Sequence, residues 1–247
     1  MRGKWMILLV LVLVLISSAA MAQDVIKFGA AVSLTGAQSR FGNMVKNGYE
    51  LWKDYVNDKG GIDVAGKKYK VAVVYYDDQS DPQVSAKLTE ELITEDKVQF
   101  LLGPYSSGIT LATSAIAEKY DIINMACTAN ADSVYTRGYK NVFSILPPAS
   151  AILRSFLDML TTFKPAPKKL AMISPTDLFP LNVADGAQNY AKELKLDLVF
   201  FEKYPKGAKD LSSLLLKIKS LKPDVLMGTG YLDDAILAVR QSKDQKV

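Results

Sequence analysis

The stretch VQFLLGPYSSGITLATSAIAEK, residues 98–119, decides the fold. Residues 98–102 form an apolar, β-prone run. Gly103-Pro104-Tyr105-Ser106-Ser107-Gly108 breaks it, and helix formers follow to about Lys119. A strand that ends in small polar residues and opens directly into a helix is one βα unit. In open α/β sheets, ligands sit beyond the carboxyl ends of the strands, at the helix N-termini. Here glycines allow close approach, serines supply hydroxyls, and the helix start offers free N–H groups and the positive end of its dipole. That combination suits a carboxylate. The same serines also read as plain N-caps, and the pattern alone leaves both readings open.

The unit recurs on either side. Upstream, an apolar run over residues 25–32 ends at Ser33-Leu34-Thr35-Gly36. Val45, Tyr49, Trp52 and Val56 then form a helical stripe that Gly60-Gly61 stops. A second strand, 69–76, runs into Asp77-Asp78, and Asp81-Pro82 opens the next helix. Downstream, strands are predicted at 122–125 and 141–146. Beyond Pro147-Pro148 the alternation restarts: helix, strand 170–174, a helix from about Asn182, strand 196–202, helix, strand 224–228 and a last helix from Asp233. Repeated βα units with near-continuous apolar strands predict an α/β fold of parallel sheets with helices on both faces. Pro147-Pro148 interrupts the rhythm because proline cannot continue a sheet ladder. It divides the chain into residues 23–146 and 147–247. The second part is thin in strands and stops where another would begin, so a C-terminally truncated fragment is expected.

Composition narrows the function. The 247 residues are 49% hydrophobic and 23% charged, which excludes disorder, collagen and coiled coil for the whole chain. Cys127 is the only cysteine and there is no histidine. An internal disulfide, a Cys-cluster metal site, a Ser-His-Asp triad and His-ligated zinc are all excluded. A binding protein without metal, cofactor or catalytic residues is favoured over an enzyme.

Arg2 and Lys4 precede an apolar run from Met6 to Ile16, and Ala20-Met21-Ala22 has the form of a signal-peptidase site. The run is short of the about 20 residues that span a bilayer. Residues 1–22 are therefore read as a cleaved secretory signal, with no membrane insertion afterwards and a periplasmic or secreted destination. Removing Arg2 and Lys4 from the 30 basic residues leaves 28 against 26 acidic. Interspersed signs and so small a balance give no footprint for nucleic acid.

Two other loops carry possible chemistry. Asp77-Asp78 could hold Mg²⁺ or accept a phosphoryl group, but also reads as a turn and cap. Gly228-Thr229-Gly230 followed by Asp233 is half of a dinucleotide fingerprint, with a carboxylate where pyrophosphate would lie. These loops define the alternative, a nucleotide-dependent enzyme with Rossmann-type sheets. Cys127 has no basic neighbour in sequence and reads as a small packed residue.

Several stretches together resemble one family. Ile26-Lys27-Phe28-Gly29 leading to Ser33-Leu34-Thr35-Gly36, Asn57-Asp58-Lys59-Gly60-Gly61-Ile62, Tyr76-Asp77-Asp78-Gln79-Ser80-Asp81-Pro82, Gly103-Pro104-Tyr105-Ser106-Ser107 and Thr136-Arg137-Gly138-Tyr139 occur in order. They resemble the type I periplasmic binding proteins, in particular the leucine/isoleucine/valine-binding branch that serves ABC importers. The resemblance implies two Rossmann-like lobes, the second incomplete here, closing on a branched-chain or similar amino acid or amide. The implied partners are that ligand and the importer's membrane subunits; an envelope sensor of the same fold is a variant of this reading. The resemblance places the ligand carboxylate at Ser107, with Tyr105 and Ser106 lining the pocket. It places a backbone contact at Thr128 and the α-amino contact at Asn130, where an amide replaces the family's hydroxyl. Aromatic walls fall on Phe41, Phe179 and Tyr231. The family's acidic partner for the ammonium falls beyond Val247.

Overall fold

The computed structural model describes residues 24–247. The signal-peptide reading of residues 1–22 lies outside the described residues. Two separate sheets organise the chain. The first has six strands in the order β2-β3-β1-β4-β5-β6, and the second three in the order β8-β7-β9.

In the first, β1 (Val25–Val32) lies at the centre. It pairs in parallel with β3 (Lys67–Asp77) over eight positions and with β4 (Phe100–Leu102). The carboxyl half of β1 is buried on both faces, which is why it reads as a continuous apolar run. β5 (Asn124–Ala126) and β6 (Val142–Ser144) extend the parallel array. Helix α1 (Ser39–Asp58) covers one face through Val45 and Tyr49, packed on Ala30, Val32 and Leu102. Helices α2 (Pro82–Thr94) and α3 (Ser107–Lys119) cover the other, where Leu92, Val98 and Ala117 meet Ala31 and Leu101. Gly42 lets α1 approach the end of β1, since a Cβ there would lie 2.0 Å from the Ser33 carbonyl oxygen.

One strand departs from the predicted pattern. β2 (Ile62–Val64) pairs antiparallel with β3 through the two-residue turn Ala65-Gly66, so the first sheet is not wholly parallel. Both turn residues have positive φ, 52° and 84°. Alanine at the first of these conceals the hairpin, because Asn or Asp is the usual signal there.

Beyond β6, Pro147-Pro148 lies between the two sheets. The four-residue α4 (Asp132–Tyr135) precedes β6, and after it a short 3₁₀ turn (Ala149–Ala151) and α5 (Arg154–Thr162) make the connection. The second sheet holds β7 (Lys169–Pro175) between β8 (Asp197–Tyr204) and β9 (Val225–Gly228), all parallel. Leu157, Leu170, Met172 and Ala187 fill one face, and Ala171, Ile173, Leu215 and Ile218 the other. Its helices are α6 (Leu178–Glu193), α7 (Ser212–Leu221) and α8 (Leu232–Gln245). Helix α6 begins four residues before the predicted Asn182. The Asp177 carboxylate accepts from the Leu178 N–H at 2.7 Å, and Pro180 sits in the first turn, where its missing N–H costs nothing.

Candidate functional site

The loop after β4 is held by backbone contacts that leave its serines at the start of α3. Gly103 tucks against β5, where a Cβ would come within 2.9 Å of the Ala126 Cα. The Tyr49 hydroxyl donates to the Gly103 carbonyl at 2.6 Å. Ser106 caps α3, its hydroxyl oxygen accepting from the Ile109 N–H at 3.4 Å, and adopts φ 79°. A serine held in the left-handed region stores strain of about 1–3 kcal/mol, and such outliers cluster at ligand sites.

Ser107 is 1% exposed. Its hydroxyl oxygen accepts from the N–H groups of Asn130 (3.2 Å) and Ala131 (3.1 Å). With both lone-pair directions occupied, the hydroxyl can only donate. The first N–H groups of α3 have no intrahelical acceptor. Helix α3 has no acid in its own first turn, but the Asp177 carboxylate stands beside it, its Oδ1 3.5 Å from where a Cβ on Gly108 would lie. Thr128 donates its hydroxyl to the Pro104 carbonyl at 3.0 Å, and Asn130 donates its side-chain amide to the Pro147 carbonyl at 2.8 Å.

These residues converge. Tyr105, Ser106, Ser107, Thr128, Asn130, Phe179 and Tyr231 line one cavity of about 330 Å³, together with Leu146, Pro147 and Ile152. Its volume is at the lower end for small-molecule sites. The walls come from the first sheet's loops, the connecting segment, and the first turns of α6 and α8. Leu146, Pro147 and Ile152 were missed because apolar connector residues carry no local chemical signal.

Phe41 departs from its expected place: it does not line this cavity. It stacks behind Tyr105 at 5.0 Å and 16° and faces a neighbouring space of about 420 Å³ between the sheets. Helix α1 stands on the far side of the Tyr105 ring, so Phe41 supports that wall without forming it. The ring series continues from Tyr105 to Tyr231 (6.3 Å) and from Tyr231 to Phe179 (5.6 Å), linking the two sheets' loops. Burial, then the nearby Asp177 carboxylate, pushes the Tyr105 and Tyr231 hydroxyls up, so both rings stay neutral. Asp177 itself lies 2.5 Å from the Lys206 ammonium. Asn182 of α6 accepts from the N–H and hydroxyl of Ser133, both at 3.2 Å, which ties the halves together beside the cavity.

The remaining polar loops are engaged within the fold. The Asp77 carboxylate accepts from the Leu34, Thr35 and Gln79 N–H groups and the Thr35 hydroxyl. Asp78 is fully buried and accepts from the Ser33 hydroxyl and the Ser80 N–H. Among the described residues, no group of three or more Asp, Glu or Cys could hold a metal ion. In the Gly228–Asp233 loop, Asp234 accepts from the Tyr231 N–H at 3.0 Å, so carboxylates occupy the start of α8. Cys127 is half-buried, and burial pushes its thiol up, away from thiolate reactivity. An apolar groove of about 950 Å³ runs along the α1 face of the first sheet, past Phe28, Trp52 and Met125. It offers no grouped donors to a polar solute.

Two doubly covered α/β units with a ligand-sized cavity at their junction are the architecture of a cleft-type binding protein. Residues 25–247 match the periplasmic binding protein family, and the chain belongs to it. A relative called Leu/Ile/Val-binding protein homolog 7, from Brucella suis, is 29% identical over 238 residues, covering 93% of this chain and 58% of its own length. The chain thus spans little more than half the length of that relative. Among solved structures, the branched-chain amino acid transporter substrate binding protein of Streptococcus pneumoniae, in complex with isoleucine, is 25% identical. Its TM-score is 0.76, covering 90% of this chain and 62% of that one. An ABC transporter solute binding protein of R. palustris, in complex with benzoate, is 27% identical with a TM-score of 0.69, covering 83% and 55%.

Proposed function

We propose that this chain belongs to a secreted or periplasmic solute-binding protein without catalytic activity. It captures a branched-chain or similar amino acid, or a related small carboxylate, and delivers it to the membrane subunits of an ABC importer. In this reading residues 1–22 are a cleaved signal, and residues 23–146 and 147–247 belong to two lobes. One observation carries it: seven residues expected from four separate loops line one cavity between the two sheets, and the eighth, Phe41, backs its wall. The relatives' ligands, isoleucine and benzoate, share a carboxylate on an apolar body, which fits a donor-only serine beside apolar rings.

The Ser107 hydroxyl and the first N–H groups of α3 hold the carboxylate by charge-assisted hydrogen bonds. Phe179 and Tyr231 close over the apolar body from the other side. Closure is driven by contacts available only when ligand is bound. A thermal-shift panel tests the reading. Small carboxylates should raise the melting temperature, while NAD and Mg²⁺ leave it unchanged. Stabilisation by NAD or Mg²⁺ alone would restore the enzyme alternative.

A further inference from the structure

We propose that the amino end of the second sheet, the pole turned away from the cavity, is a peripheral docking surface for an anionic lipid bilayer. Three chain segments enter the sheet there, and each carries lysines. Lys164, Lys168 and Lys169 lead into β7, Lys192 and Lys195 into β8, and Lys219 and Lys222 into β9. The sequence scatters them, and the register gathers them. The Lys168 carbonyl accepts from the Asp197 N–H and the Lys169 carbonyl from the Asp224 N–H, both at 2.8 Å. The three segments therefore lie side by side at the strand spacing of about 4.8 Å. Strand β7 runs for seven residues between this pole and the loops of the cavity, a separation of about 20 Å.

All seven lysines are exposed, and among the described residues none is in an ion pair. Lys192 and Lys219 stand in the last turns of α6 and α7 and complement their dipoles. The other five lie outside the helices. The nearby acids do not balance them. Asp224 turns its carboxylate to the backbone N–H groups of Lys168 and Lys169, at 2.8 and 2.9 Å, and Asp158 accepts from the Tyr190 hydroxyl at 2.6 Å. Glu193 and Asp197 remain, two carboxylates against seven ammonium groups. The end of α8, which meets Lys219 through the Gln245 carbonyl, adds Lys243, Asp244 and Lys246. The corresponding end of the first sheet is different: Lys67 pairs with Asp24 at 2.5 Å, Lys68 with Asp63 at 3.4 Å and Lys119 with Glu90 at 2.7 Å. Clusters of about four to eight cations hold proteins at anionic bilayers. Two apolar side chains favour lipid over an acidic protein or a nucleic acid. Phe163, next to Lys164, is 52% exposed, and Leu221, next to Lys222, 40%. Lysines around exposed apolar tips fit the boundary between headgroups and acyl chains, where both gain. A polyanion in water offers nothing to Phe163.

Co-sedimentation of the chain from Gln23 onward with lipid vesicles tests the proposal. Vesicles of phosphatidylcholine with about one-third phosphatidylglycerol should bind at least about tenfold more tightly than pure phosphatidylcholine, and binding should fall as salt rises from about 50 to about 300 mM. Lys168→Gln/Lys195→Gln/Lys222→Gln, one change from each segment, should weaken binding at least about tenfold. Lys67→Gln/Lys68→Gln/Lys119→Gln removes the same charge from paired lysines and should weaken it far less. Phe163→Ser should weaken vesicle binding and leave binding to heparin, a soluble polyanion, unchanged. Melting temperatures check that the variants are folded, and the lipid and salt dependence of the unmodified chain decides the case where one is not. Equal binding to both vesicle types, or equal loss in the two triple variants, overturns the proposal. If heparin binds as tightly as the anionic vesicles and Phe163→Ser changes neither, the surface takes an acidic macromolecule and the assignment to lipid is wrong.

Discussion

The corners after β3 and β4 lie on either side of β1 and look alike in sequence, each a pair of small polar residues leading into a helix. Their hydrogen bonding is opposite. At Asp77-Asp78 the carboxylates receive six donors from the β1 loop and their own turn, so the corner is a staple. At Ser106-Ser107 the serine oxygens also accept, but a hydroxyl proton and the first helix N–H groups are left over. The comparison teaches that a polar loop becomes a binding site through the donors the fold leaves unmatched. Polar residues alone do not make one.

The comparison breaks most visibly at Asp78. Asp78→Ala strands the fully buried Ser33 hydroxyl, leaves the half-buried Ser80 N–H without its acceptor, and should cost about 3 kcal/mol of stability. Urea denaturation measures this, and ligand affinity of the folded protein should stay unchanged. A stable Asp78→Ala variant that cannot bind would turn the staple into a site.

Ser107→Ala should do both kinds of damage. Losing a hydrogen bond to the carboxylate lowers affinity about tenfold to a hundredfold. Leaving the Asn130 and Ala131 N–H groups unpaired costs about 2 kcal/mol of stability. Ser107→Thr keeps the hydroxyl and should recover part of each. Calorimetry and denaturation, run on the same samples, separate the two effects.

A smaller change is expected at the exposed end of the staple. Asp81 caps α2, accepting from the N–H groups of Gln83 and Val84, and Asp81→Ala should cost about 1 kcal/mol with no effect on binding. A loss as large as that at Asp78 would show that burial is not what separates these carboxylates.

The finest distinction is in pH dependence. Burial pushes Asp77 up, but the Thr35 hydroxyl and the N–H groups of Gln79, Thr35 and Leu34 outweigh it and hold the carboxyl below its ordinary value. Its stabilisation is complete above the unfolded pKa of about 4 and is lost as pH falls through the lower folded value. Asp78 runs the other way, because burial raises it above its ordinary value. The folded state then takes up that proton first, and stability rises as pH falls toward about 4. Asp77→Asn should flatten the acid limb below about pH 4, and Asp78→Asn should remove the gain above it. Denaturation midpoints against pH that are unchanged in both variants would contradict these assignments.

Much of the fold was legible. Strands with both faces buried, such as β7 and the carboxyl half of β1, announce themselves as apolar runs, and the α1 stripe of Val45, Tyr49 and Trp52 announces the helix that covers β1. The three-residue β2 was not legible, since its turn places alanine where the usual signal is absent. Nor was the start of α6, because Pro180 reads as a break unless Asp177 is known to cap the helix just before it.

The site divides in the same way. Ser107 and Tyr105 could be singled out because a glycine-serine loop between strand and helix is a local pattern, and local chemistry is written in consecutive residues. Sequence by itself also determined the βα alternation, through hydrophobic periodicity, and excluded histidine and metal-cluster chemistry through composition. Which polar groups remain free was decided only in three dimensions. Asp77 meets Thr35 from 42 residues away, and Ser107 meets Asn130 from 23. Phe41 was displaced from the cavity wall by the same cause: α1 approaches Tyr105 from behind, at a distance set by Gly42 against Ser33. Hydrogen-bond saturation and wall order depend on contacts between segments far apart in the chain, and no local pattern encodes them.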